Sequence, residues 1–149
     1  TQKRVVCAME YIIDHVVLNV KQPDVMVNFY RSLLGLLPIK SKDGKHTYPS
    51  LRLNGLTSLD LYPPPMWTKE AVNHYGQRSL HHISLVLAQN WWEELKGRLK
   101  AAGVKIIEGP KRHEGARGQG VAFMFKDPEG NRIEALYYPE QPNETGGPK

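Results

Sequence analysis

The sequence has a single cysteine, Cys7, in 149 residues, so no intramolecular disulfide can staple the chain and a reducing compartment is the simpler expectation. It has no run approaching the ~18 apolar residues that a membrane helix needs. Its first residues lack the succession of basic, apolar and small residues that marks a secretory leader. A cytoplasmic protein that does not engage a membrane is expected from these absences. Dense basic runs are missing too. The 20 Lys+Arg exceed the 15 Asp+Glu by a formal charge of +5, but the cations are scattered from Lys3 through Arg132 to the final Lys149 without interleaved aromatics. That pattern argues against nucleic acid as a partner and for a small anionic ligand. What is present is ordinary globular composition, 40% hydrophobic and 23% charged. A chain of this length buries roughly two-thirds of its unfolded surface, which excludes overall disorder and leaves room for one domain or two small ones.

The hydrophobic periodicity predicts a strand over 11–20, then Gln22-Pro23-Asp24 as a helix start and a helix over 24–34 stopped by Gly35 and Pro38. Two β-like runs, 48–53 and 56–62, flank Asn54-Gly55, the dipeptide that tight hairpins use because both central residues can take positive φ. Pro63-Pro64-Pro65 opens a connector over 63–79 with no clean period, in which Trp67, His74 and Tyr75 are candidates to fold over a pocket mouth. The pattern then restarts with a strand at 80–87, a helix through Trp92, Leu95, Leu99 and Ala102 stopped by Gly103, a short strand at 104–107, and strands at 121–125 and 132–138. Between 107 and 121, Lys111, Arg112, His113 and Arg117 read as a solvated charged loop, with Arg112 or Arg117 placed to grip a substrate carboxylate or phosphate. The tail over 139–149 is rich in Pro, Gly and polar residues, as expected of disorder.

The second half repeats the first in residues as well as in pattern. Asp14-His15-Val16-Val17-Leu18 matches His81-His82-Ile83-Ser84-Leu85 at an offset of 67, and Gly35 matches Gly103 at 68. The predicted class is therefore α+β, with two βαβββ modules, 11–62 and 80–138, pairing into an open eight-stranded barrel-like sheet with the helices outside.

Strand alternation puts His15, Val17 and Asn19 on one face and the aliphatic Val16, Leu18 and Val20 on the other. His82 and Ser84 face away from Ile83 and Leu85 in the same way. In the closing strands, Asp60 and Tyr62 oppose Leu59 and Leu61, while Glu134, Leu136 and Tyr138 oppose Ile133, Ala135 and Tyr137. Two imidazoles and one or two carboxylates on one concave surface are ligand types that divalent metals accept. Pairwise His–carboxylate contacts are the plainer alternative, although they leave buried charges in need of further partners.

The doubled unit, the His-Val/Ile strand starts and above all Phe125-Lys126-Asp127-Pro128-Glu129-Gly130-Asn131-Arg132-Ile133-Glu134 resemble the vicinal oxygen chelate superfamily, which includes glyoxalase I, epimerases, extradiol dioxygenases and bleomycin-resistance proteins. The resemblance implies His15, His82 and Glu134 as ligands of one divalent metal per site (Fe, Mn, Ni, Co or Zn), with Asp60 where glyoxalase I has a fourth ligand. It also implies a homodimer or an intrachain pairing of the modules. Asn19, Tyr62 and Tyr138 share the inner faces and are expected to contact substrate with Arg112 and Arg117. Asp60 is the expected proton shuttle beside Glu134 in a glyoxalase-like lyase or isomerase acting on a small oxygenated, anionic metabolite. An Fe(II) dioxygenase and a non-catalytic drug- or metabolite-binding protein are the alternatives. Ring-cleaving members carry a Tyr ten residues before the glutamate ligand, where this chain has Met124.

Overall fold

A computed structural model describes residues 13–40, 47–67 and 80–139. Cys7, connector residues 68–79 with His74 and Tyr75, and the tail from residue 140 lie outside the described residues. The first module comprises β1 (His15–Asn19), α1 (Pro23–Ser32), β2 (Leu37–Pro38), β3 (Ser50–Arg52) and β4 (Ser58–Tyr62). The second comprises β5 (Ile83–Val86), α2 (Gln89–Ala101), β6 (Ile106–Gly115), β7 (Gly118–Lys126) and β8 (Arg132–Tyr137). Each module builds one four-stranded mixed sheet, ordered β1-β4-β3-β2 and β5-β8-β7-β6. β1 runs parallel to β4 and β5 to β8, and the other neighbours are antiparallel.

Both helices stop where glycine allows the left-handed turn. Gly35 has φ 71° and Gly103 φ 75°; the Leu36 N–H reaches back to Tyr30 O at 3.1 Å and the Val104 N–H to Leu99 O at 2.8 Å. One continuous apolar cluster joins the apolar faces of the sheets, Leu18, Leu59 and Leu61 in the first with Phe123, Phe125 and Ile133 in the second, through Phe29 of α1 and Trp92 of α2. The Trp92 indole N–H is satisfied by the Ala135 carbonyl at 2.8 Å. Phe29 and Phe125 meet across the modules at 6.3 Å.

The α+β class and the doubled module match the sequence reading, but the two sheets do not close into one barrel-like sheet. Among the described residues, β1 and β5 both remain edge strands. The modules touch instead through α1 and the turn between β7 and β8. α1 has no side-chain cap of its own; the Glu129 carboxylate accepts from the backbone N–H of Lys21 at 2.6 and 2.9 Å and of Gln22 at 3.1 Å. A negative charge at a helix N-terminus is favourable, and here it comes from the other module. One residue pair deeper, the Tyr30 hydroxyl donates to Asp127 Oδ2 at 2.8 Å.

Two local expectations also change. Asn54-Gly55 is not a two-residue turn with positive φ: neither Asn54 nor Gly55 is among the described residues that adopt positive φ. Instead Asn54 Oδ1 accepts from the N–H of Leu56 at 2.7 Å and of Thr57 at 2.9 Å, an Asx-type turn that lengthens the loop. The residues read as a charged loop belong to the ten-residue β6, which carries Lys111, Arg112 and His113, with Arg117 in the turn beyond. β6 is an edge strand with exposed flanks, so it needs no apolar alternation to be held by β7.

Asp127 is 4% exposed and accepts from four donors: the Tyr30 hydroxyl, the N–H groups of Glu129 and Asn131, and Asn131 Nδ2. Burial first, then the Asp127 charge, pushes the Tyr30 phenol far above its ordinary range, so it remains a donor. Tyr30→Phe is expected to cost about 1–2 kcal/mol and Asp127→Ala about 3–4 kcal/mol, because the alanine orphans several buried donors at once. Urea unfolding of the two variants checks the order and the gap.

Candidate functional site

The polar face of the first sheet is organised around Asp60. It lies directly across from Ser50 in the β3–β4 register, and Ser50 Oγ donates to Oδ1 at 2.5 Å while Ser58 Oγ donates to the same oxygen at 3.1 Å. The carboxyl group is 6% exposed, so these hydroxyls provide hydrogen bonds that water does not. β1 pairs with β4 so that Val17 stands beside Asp60, which puts His15 two residues earlier on the same face. His15 Nδ1 lies 2.8 Å from Asp14 Oδ2. That hydrogen bond chiefly raises the His15 pKa above its ordinary value, with smaller help from the charges of Asp60 and Asp14 against partial desolvation. Asn19 and Tyr62 end the paired strands opposite each other, and the Tyr62 ring packs on Tyr48 at 4.7 Å between centroids.

The second sheet repeats the arrangement. Ser84 stands beside Glu134 in the β5–β8 register and donates to Oε1 at 2.7 Å, while His82 lies two residues before Ser84. Glu134 is 5% exposed. Its Oε2 faces His113 Nε2 at 3.6 Å, a neighbour that a solvated loop at 107–121 would not supply. The signal was the alternation Lys111-Arg112-His113, which becomes meaningful only once 106–115 is recognised as strand. By that alternation Arg112 points away from the Glu134 face and is exposed. Arg117 lies beyond the far end of the strands: its N–H donates to the Tyr138 hydroxyl at 3.2 Å, its guanidinium stacks over the Tyr138 ring at 5.8 Å, and it rims an apolar cleft of about 500 Å³ between the modules. The Trp67 indole N–H donates to the Val20 carbonyl at 3.3 Å.

The structure thus brings His15 near Asp60 and sets Ser84, two residues after His82, in register with Glu134, so each sheet carries one buried carboxylate with a predicted histidine ligand two residues before its paired neighbour. Among the described residues, no three His, Cys, Asp or Glu side chains of one chain come together as a metal site. The residue types suit a divalent cation, but each sheet carries half of such a donor set.

A family model described as the Glyoxalase/Bleomycin resistance protein/Dioxygenase superfamily matches residues 12–135. Virulence protein STM3117 of Salmonella typhimurium is 26% identical over 128 residues, spanning 85% of this chain and 83% of that protein. The crystal structure of that virulence protein has a TM-score of 0.67 at 24% identity and covers 87% of this chain and 98% of its own. A glyoxalase/dioxygenase from Nostoc punctiforme has a TM-score of 0.70 at 20% identity over 94% of this chain and 100% of its own. A lactoylglutathione lyase from Agrobacterium tumefaciens gives 0.61 at 20% over 88% and 96%. These three structural likenesses speak to the fold.

The Asp14 hydrogen bond is the largest influence on His15, so Asp14→Asn should move the His15 titration midpoint down toward the ordinary histidine value. Proton NMR of the imidazole Cε1–H against pH reads the shift; an unmoved midpoint would show that Asp14 does not set it.

Proposed function

The chain belongs to the glyoxalase/bleomycin resistance protein/dioxygenase superfamily, and from that premise we propose that it is a divalent-metal-dependent, glyoxalase-like lyase or isomerase acting on a small anionic metabolite with adjacent oxygens. Superfamily members typically bind a divalent metal and a small molecule, and often form dimers. The observation that carries the reading is the equal register of the two sheets. Val17 pairs with Asp60 and Ser84 with Glu134, each two residues after a histidine. In our reading two copies of the chain set the first sheet of one against the second sheet of the other. His15 of one copy and His82 and Glu134 of the other then hold Fe, Mn, Ni, Co or Zn. The free edges of β1 and β5, flanked by exposed Ile13 and Val86, support an assembly larger than one chain.

A bound divalent cation supplies Lewis-acid stabilisation of charge developing on the substrate oxygens. The protein's own part is positional and acid–base. Ser84 fixes one oxygen of Glu134, and Ser50 with Ser58 fixes one oxygen of Asp60, so neither carboxylate has to reorganise. Asp60 is our proton carrier through its other oxygen, Oδ2, with Asn19, Tyr62 and Tyr138 orienting the substrate. Met124, directly across from Glu134, brings no acid or base there, which favours proton transfer at Asp60 over ring-cleaving oxygenation.

His15→Ala and Glu134→Gln should each abolish metal uptake. In a mixture of the two unfolded and refolded together, half the dimers are hybrids and each hybrid has one intact site, so about a quarter of the wild-type metal content returns. Metal analysis by mass spectrometry reads this. No recovery would place the ligands within one chain, and a wild-type protein that takes up none of Mn, Fe, Co, Ni or Zn would favour a metal-free binding protein.

A further inference from the structure

A second, strongly basic cavity lies at the start of β8, away from the serine–carboxylate pairs. It has a volume of about 330 Å³ and is lined by His81, His82, Lys126, Arg132 and Asn131 beside Leu80. Lys126 and Arg132 are paired directly across β7 and β8, so both side chains leave the same face of the sheet. Arg132 is two residues before Glu134 and shares its face, which puts the cavity about 7 Å along the strand from the candidate metal ligand. Arg132 Nη1 lies 3.1 Å from His81 Nε2, and His81 Nδ1 lies 2.8 Å from His82 Nδ1. A guanidinium can only donate, so His81 accepts at Nε2 in the contact with Arg132. This chain of contacts holds the arginine at the cavity wall without neutralising it.

Carboxylates are missing where these cations would be expected to find them. Neither Lys126 nor Arg132 forms an ion pair among the described residues. Asp127, next to Lys126 in the chain, is committed to Tyr30 and its own turn, and Glu134, two residues from Arg132, accepts from Ser84 and faces His113. Glu108, close enough to feel His81, is bonded to Lys111, and that bond holds its carboxyl below the usual range. Asn131 directs its amide to Asp127. Among the described residues the cavity lining therefore offers two permanent cations and two imidazoles and no carboxylate.

We propose that this cavity binds a tetrahedral oxyanion, the phosphate or phosphonate group of a small substrate, with Arg132 and Lys126 as its principal contacts. Arginine presents a planar fork and lysine a point charge, a combination suited to an oxyanion with more than two oxygens. The proposal rests on the functional reading above only for what the rest of the ligand reaches; oxyanion binding itself needs no metal. It also moves the anion grip from Arg112 and Arg117 to residues on the Glu134 face.

Calorimetric titration of the full, metal-stripped chain with inorganic phosphate, methylphosphonate and acetate tests it. Phosphate and methylphosphonate should bind with a Kd of roughly millimolar or tighter. Arg132→Ala and Lys126→Gln, both at exposed positions, should each weaken binding by about tenfold or more. Lys105→Ala, outside the cavity, should leave it unchanged. If phosphate binds while metal never does, the site stands and the metal reading falls; the reverse result overturns the site alone. Absence of phosphate binding, equal affinity in Arg132→Ala, equal loss in Lys105→Ala, or acetate binding as tightly as phosphate would each overturn the proposal. Phosphate bound with methylphosphonate excluded would also overturn it, because the shared tetrahedral chemistry would not be what is recognised.

Discussion

Everything in this fold hangs from a five-residue turn, 127–131, whose two carboxylates face in different directions. Asp127 folds the turn on itself and takes the Tyr30 hydroxyl, and Glu129 receives the N–H groups that open α1. A carboxylate pays a desolvation cost when buried and recovers it only through hydrogen bonds to its charged form. Asp127, nearly inaccessible, has four of them. The consequence is mechanical. The first module cannot shift relative to β7 and β8 without stranding buried donors, and Phe29 stays against Phe125.

Fixing that turn fixes the register of β8, and with it the spacing of every polar group on the polar face of the second sheet. Arg132 and Glu134 follow the turn at one and three residues, so their positions are set by Asp127 as much as by their own strand pairing. The first sheet reaches a similar result by other means. An Asx turn at Asn54 leads into β4, and Ser50 and Ser58 close on Asp60. Two unrelated turns thus deliver the same product, a carboxylate buried on a strand, oriented by serine hydroxyls, with a histidine two residues from its paired neighbour.

How much of this the sequence discloses depends on the range of the interaction. The repeat, the helix stops at Gly35 and Gly103, and the sorting of Leu18, Leu59, Phe123 and Ile133 to one face and His15, Asp60, His82 and Glu134 to the other follow from local conformation and from alternation. β6 escapes notice because an edge strand is held by backbone pairing and has no buried face to write an apolar pattern. His113 escapes with it. The separation of the two His–carboxylate pairs is harder still. Alternation says which face a residue occupies, but whether two faces meet depends on rigid-body placement of the modules, and here that is decided by Tyr30 and Glu129. Neither residue reads as a contact until the partner element is known. The motif containing Asp127 and Glu129 is legible as a family signature long before its physical task is.

The charge distribution makes sense of the division between the two polar regions. A divalent cation held by His15, His82 and Glu134 beside Asp60 would be matched by the two carboxylate charges, leaving a centre that is close to neutral as seen from a distance. Coulomb attraction toward an anionic ligand then has to come from elsewhere, and it has to survive screening beyond about 8–10 Å at physiological ionic strength. The excess of +5 spread over the chain is too diffuse to select an orientation. Lys126 and Arg132, paired across neighbouring strands and with no ion-pair partner among the described residues, concentrate two of those charges at one end of the face that bears Glu134. That gives the face a polarity, basic at the turn and acidic in mid-strand, and a ligand with a charged end and a neutral oxygenated end has only one favourable way to lie along it.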